Sequence, residues 1–155
     1  MKFGHLIQIN DPLDPLIEPL SREQLWRGLV LRARNPLLFV LALDSFELVE
    51  SDENTLVREL HFGKLTLRDR VEFEPMHRVR YAIEAANDAP AATLVMTLEE
   101  PEPTQLFVRF EYETLQNDAA APLDDLYSNF AKQAYVAADM DTVRTIRRLA
   151  QEQVL

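Results

Sequence analysis

Two charged residues stand where the surrounding pattern calls for leucine, valine or phenylalanine. In LVRELHFGKLTLRDRVEFEP, residues 56–75, the even positions before Gly63 are Leu56, Arg58, Leu60 and Phe62. The odd positions after Lys64 are Leu65, Leu67, Asp69, Val71 and Phe73. Strand side chains alternate between faces, so each set shares one face and carries one charge among apolar groups. An unpaired charge there is costly. If Gly63 and Lys64 form a two-residue hairpin loop, with glycine at the first central position of a type II′ turn, Phe62 faces Leu65 and Leu60 faces Leu67. Arg58 then falls opposite Asp69, and Leu56 opposite Val71. A slip of one residue would abolish the pairing. Such an ion pair either fixes strand register or lines a cavity and orients the polar end of a mostly apolar guest.

Other candidates fall on the same kind of face. Tyr81 follows Val79 and precedes Ile83, and Tyr112 follows Leu106, Val108 and Phe110. A buried tyrosine hydroxyl needs a partner, whether backbone, water or ligand. His5 alternates with Phe3, Ile7 and Ile9, where it is either a hydrogen-bonded core histidine or a proton-transfer group. Met96 and Phe110 are core fillers or cavity wall. In the last apolar helix the small residues Ala131, Ala134, Ala137 and Ala138 mean either close approach to a sheet or an internal void. The candidate ligand-binding set is therefore Arg58, Asp69, Tyr81, Tyr112, His5, Met96, Phe110, Ala134 and Ala138.

Much other chemistry lacks its residues. Gly4, Gly28 and Gly63 are the only glycines, too few for a phosphate-cradling loop. There is no cysteine, and His5, His61 and His77 lack metal-ligand spacing. Asp139 and Asp141 in DMD diverge by about 200° on a helix. No nucleophile elbow surrounds any serine. Metal-free proton transfer is the reaction type left to the candidates, and no cofactor is expected.

The chain has 155 residues and a net charge of −10, from 16 Lys and Arg against 26 Asp and Glu. That sign disfavours a phosphate backbone or an anionic membrane surface as partner. The N-terminal MKFGHLIQIN breaks apolarity too early for a signal peptide, and PLLFVLAL is too short to span a bilayer. A cytoplasmic protein with a small hydrophobic ligand, no nucleic-acid partner and no membrane insertion is expected. Composition leaves the oligomeric state open.

The elements that must position these residues follow from periodicity. Period-two stretches predict strands at 2–10, 45–51, 55–62, 65–73, 77–84, 92–99 and 105–114. The prolines of NDPLDPLIEP predict an extended loop. In LSREQL, Ser21 and Gln24 form a capping box, with Leu20 and Leu25 at the staple positions. The helix they begin carries the stripe Leu25, Trp26, Leu29, Val30 and Ala33, and Pro36 ends it. PLLFVLAL is expected as a second short helix or turn. A long C-terminal helix starts with Pro122 at N1, and its apolar stripe reads Leu123, Leu126, Tyr127, Phe130, Ala134, Ala137, Met140, Val143, Ile146 and Ala150. One α+β domain spanning 1–155 is expected.

This order, with HLIQINDP, LSREQLWRGLVLRARNP, RELHFGKLTLRDRVEFEP, LEEPEP and DMDTVRTIR, resembles the AtaL-like family of the START and birch-pollen-allergen superfamily over nearly the whole chain. The resemblance implies a helix-grip fold: a seven-stranded antiparallel sheet wrapped around a long C-terminal helix, with two short helices between strands 1 and 2 and a cavity between sheet and helix. Superfamily members bind lipids, sterols, polyketides or hormones, and some are cyclases or aromatases. A binding protein for a small hydrophobic molecule is the leading expectation. The alternatives are an enzyme of polyketide cyclase or aromatase type and a ligand-free interaction module; fold alone does not choose among them.

Overall fold

The computed structural model describes residues 1–86, 89–115 and 124–155, with side chains of the last segment from residue 129 onward. Its chain order is β1 (Lys2–Asn10), α1 (Arg22–Arg34), β2 (Ser45–Ser51), β3 (Thr55–Phe62), β4 (Leu65–Glu74), β5 (Arg78–Ile83), β6 (Ala92–Glu102), β7 (Gln105–Thr114) and α2 (Asp124–Gln151). The seven strands form one antiparallel sheet in the order β1-β7-β6-β5-β4-β3-β2. All but one of the neighbouring pairs are consecutive in sequence, joined by short connections. The exception closes the sheet by laying β7 against β1.

The β3–β4 hairpin has the register its sequence calls for, with Phe62 opposite Leu65, Leu60 opposite Leu67, Arg58 opposite Asp69 and Leu56 opposite Val71. Gly63 has φ +59°, and Lys64 is not among the residues with positive φ, as a type II′ turn requires. The Gly63 amide donates to Asp44 Oδ2, tying the turn to the entry of β2.

α1 begins as its sequence reads. Ser21 Oγ accepts from the Gln24 amide at 3.0 Å, and Gln24 Oε1 accepts from the Ser21 amide at 2.9 Å. Leu25, Gly28, Leu29 and Ala33 are buried, while Trp26 and Val30 pack at the margin of the core. Where the sequence suggests a second helix or turn, the structure forms one 3-10 turn, Pro36–Leu38, and not an α-helix. Proline starts the turn but has no amide to continue a helix, and the segment goes on through further turns to β2. The expectation of two short helices therefore reduces to one helix and a turn.

The core lies between the concave sheet face and the two helices. Ile9, Leu56, Val71, Val79, Met96, Leu106, Val108 and Phe110 come from the sheet, Leu25 and Leu29 from α1, and Val143 and Ile146 from α2. The helices cross where Gly28 meets Ile146, and a Cβ on Gly28 would stand 2.7 Å from two Ile146 side-chain carbons. The α2 stripe differs from the one expected. Asp139, Thr142, Val143, Ile146 and Leu149 are buried, whereas Phe130, Ala134, Ala137, Ala138 and Met140 are exposed. Pro122, Leu123 and the side chains of Leu126 and Tyr127 lie outside the described residues.

Candidate functional site

Arg58 and Asp69 are buried, at 4% and 3% exposure. Arg58 Nε donates to Asp69 Oδ1 at 2.8 Å and Nη2 donates to Oδ2 at 2.6 Å, a two-pronged pair. The remaining prong, Nη1, donates to the Ala33 carbonyl at 2.9 Å. That carbonyl belongs to the last turn of α1, where free acceptors and the negative end of the helix dipole favour a cation. The pair thus locks the hairpin and fastens it to α1. All three outer nitrogens of the guanidinium have protein acceptors.

Arg58 also lies over the Tyr81 ring, 5.2 Å from its centroid, and Arg32 lies over the same ring at 5.3 Å. Tyr81 is 2% exposed, and its hydroxyl has no hydrogen-bond partner among the described residues. Arg32 Nε donates to Thr142 Oγ1 at 3.2 Å, joining α1 to α2. Burial pulls the Arg32 pKa down, but the oxygens of Tyr81, Tyr112 and Asp139 outweigh it and hold the guanidinium above its ordinary value. Arg32 and the Tyr81 hydroxyl are therefore neighbours in the electrostatic sense, without an aligned hydrogen bond between them.

A second network adjoins this one. Asp139, 1% exposed, accepts from Tyr112 Oη at Oδ1 and shares Oδ2 with His5 Nε2, both at 2.6 Å. Burial pushes the Asp139 carboxyl above the ordinary carboxylate range, and the two hydrogen bonds only partly oppose it. Burial and the neighbouring carboxylate push the Tyr112 phenol up as well. The His5 ring stacks between Phe3 and Phe110 at 5.5 and 5.2 Å, and Tyr112 stacks on Tyr135 at 4.1 Å. Tyr81, Leu94 and Tyr112 are register partners on β5, β6 and β7, so the two networks form one polar layer across the concave face.

Of the sequence candidates, the structure brings Arg58, Asp69 and Tyr81 together, and joins His5 to Tyr112 through Asp139. Met96 and Phe110 are fully buried core residues. Ala134 and Ala138 are exposed rather than on the core-facing stripe. Met140, Ala137 and Ala134 lie at three-residue steps before Val143, and a 3.6-residue helix drifts away from such a row. Steps of three and four from Val143 and Ile146 lead instead to Asp139 and Tyr135, which hold the position. Arg32 was missed for a related reason: it lies seven residues after Leu25 and three after Leu29, in the middle of the α1 stripe.

Beyond the polar layer, the described residues cover the sheet only in part. Leu60 is still buried, but Phe62, Leu67 and Ile83, on the same concave face, are only half-buried, and Leu65 is exposed. On α2, Thr142 faces Arg32 of α1 and donates to the Ala138 carbonyl one turn earlier. Ala138, Ala134 and Ala131 continue that side of α2 past the end of α1, and the first two are exposed. Among the described residues, this leaves a half-exposed apolar strip of the concave face next to the polar layer. A separate groove of about 290 Å³ lies between the proline-rich loop and the C-terminal turns of α2, lined by Leu16, Ile17, Leu20, Gln24, Arg147 and Ala150 among others; it contains none of these polar groups.

Comparisons with known proteins place this architecture. Comparison with curated proteins returns no sequence relative. Among solved structures, the di-domain ARO/CYC StfQ from the steffimycin biosynthetic pathway superposes with a TM-score of 0.72 at 11% identity, covering 99% of this chain and 52% of StfQ. The chain thus spans about half the length of StfQ. The Zhui aromatase/cyclase from Streptomyces sp. R1128 gives 0.64 at 15% identity, covering 100% and 96% of the two chains. Ara h 8.0201 gives 0.59 at 13%, covering 95% and 98%. At these identities the likeness is one of fold, the helix grip. Residues 7–153 match the family model described as acetylaranotin biosynthesis cluster protein L, and the chain belongs to that family, AtaL.

Proposed function

We propose that the protein binds a small, largely apolar molecule in the cleft between the concave sheet face and α2. The observation that carries this reading is the loss of cover on the concave face: Phe62, Leu65 and Leu67 project from it beyond the Arg58–Asp69 pair, Ile83 stands beside Asp69 only half-buried, and Ala134 and Ala138 of α2 are exposed. Apolar side chains left half-exposed beside a rigid polar layer suit a guest with an apolar body and a polar end. The fold supports the same reading, since StfQ and Zhui, which share it, are described as aromatase/cyclases. Native mass spectrometry of protein purified without denaturation tests it. A stoichiometric small-molecule adduct supports the reading. Absence of any adduct, together with no binding of the neutral probe 2-acetylnaphthalene, favours a ligand-free interaction module instead.

A second reading, a cyclase-type enzyme, is favoured by one observation. Asp139 is buried, protonates more readily than an ordinary carboxyl, and bridges His5 and Tyr112. In that reading the cleft orients an already reactive guest, and His5, held by Asp139, accepts or returns a proton. Turnover of the co-purified molecule separates enzyme from binder. Loss of turnover with retained binding in His5→Gln would assign the proton transfer to His5.

A further inference from the structure

Tyr81 and Arg32 are neighbours in the polar layer. The Tyr81 hydroxyl is buried with no partner, and a hydroxyl buried that way is costly. Arg32 keeps its charge with a single hydrogen bond, to a neutral hydroxyl. The nearby carboxylates are engaged elsewhere. Asp69 is held by both prongs of Arg58, and Asp139 is held by Tyr112 and His5. Among the described residues the only aligned hydrogen bond of Arg32 is the one from Nε to Thr142, and the Tyr81 oxygen is the neighbour that most raises its pKa. Both groups belong to the polar layer, next to the half-exposed strip of the concave face. Tyr81 precedes half-buried Ile83 by two residues on the concave face, and Thr142, which holds Arg32, lies one turn from exposed Ala138.

Resting on the cleft reading above, we propose that Arg32 and Tyr81 form a recognition site for an acidic oxygen, the carboxylate or enolate end of the apolar guest. Both are hydrogen-bond donors, and they converge from α1 and β5 on one region. The choice of an anion over a neutral carbonyl follows from the charges. Arg58 and Asp69 cancel within hydrogen-bonding distance, whereas Arg32 has no hydrogen-bonded carboxylate. Charge-assisted hydrogen bonds in a low-dielectric site are stronger than neutral ones. Arg58, held by Asp69 and the Ala33 carbonyl, lies over the Tyr81 ring.

The test compares 2-naphthoate with its neutral analogue 2-acetylnaphthalene by calorimetric titration at neutral pH. The proposal expects 2-naphthoate to bind about tenfold tighter or more. Arg32→Met should abolish that preference, bringing 2-naphthoate down to the affinity of 2-acetylnaphthalene or below. Tyr81→Phe, which removes one oxygen and no volume, should weaken 2-naphthoate by about fivefold. If Arg32→Met fails to fold by circular dichroism, Tyr81→Phe carries the test. Equal affinity of the wild type for the two compounds, or a preference for the carboxylate that survives the substitutions, overturns the proposal and leaves the cleft reading intact. Failure of both compounds to bind overturns the cleft reading and the proposal with it.

Discussion

At the scale of single residues, the polar layer divides into groups with partners and groups without. Arg58 has three acceptors, so its neighbour Asp69 is needed chiefly to neutralise it. Asp69→Asn leaves a buried guanidinium uncompensated, and denaturant melts should show a loss of about 3 kcal/mol. A loss under about 0.5 kcal/mol would mean that water reaches the pair. Asp139 gives a different signature. Its folded-state pKa is raised by burial, so the folded protein holds this proton more tightly than the unfolded chain does. Its contribution to stability is therefore greatest below the ordinary carboxylate value of about 4. It declines as pH rises through the raised value and is constant above it. Melts across that window should show the wild type losing stability relative to Asp139→Asn, the non-titrating reference facing the same His5, Tyr112 and Arg32. A pH-independent difference between the two proteins would contradict this account of Asp139.

Among the elements, the hairpin was fully legible in the sequence and α2 was not. Gly63 fixed the turn, and alternation then placed Arg58 opposite Asp69, because a strand's period of two leaves only one register for the apolar residues. α1 was legible at its start from the capping box and at its end from Pro36, yet Arg32 was passed over because an arginine in an apolar stripe reads as a solvated margin. In α2 the alanines, which fit either face, let a three-residue row pass for a stripe, and Asp139, set aside as one of two diverging aspartates, proved to be the buried one. The hydrogen bonds Tyr112–Asp139–His5 join residues more than 100 apart in sequence at their widest, from β1 to α2, and no local pattern encodes them. The α1–α2 crossing gives a test at this scale. Gly28→Ala drives a methyl into Ile146 at 2.7 Å, and overpacking should cost about 1–3 kcal/mol. The double variant with Ile146→Val should recover part of that loss, and no recovery would place the strain elsewhere than the crossing.

For the molecule as a whole, the sheet and α2 hold a packed core at one end and a partly covered apolar surface at the other, with the polar layer between them. The packed end contains Ile9, Val79, Met96, Val108, Phe110 and Ile146, and it accounts for the fold. The open end accounts for the proposed binding. Replacing Ala134 with Phe should be tolerated within about 0.5 kcal/mol, because the position is exposed, while narrowing the cleft and weakening a guest. Thermal melts and probe titration of the same variant check both halves of that statement. Amide chemical-shift mapping with 2-acetylnaphthalene locates the guest. The cleft account predicts saturable shifts at Leu60, Leu67, Tyr81, Ile83, Ala134 and Ala138. Shifts confined to Leu16, Ile17, Gln24 and Ala150, in the groove beside the proline-rich loop, would contradict it.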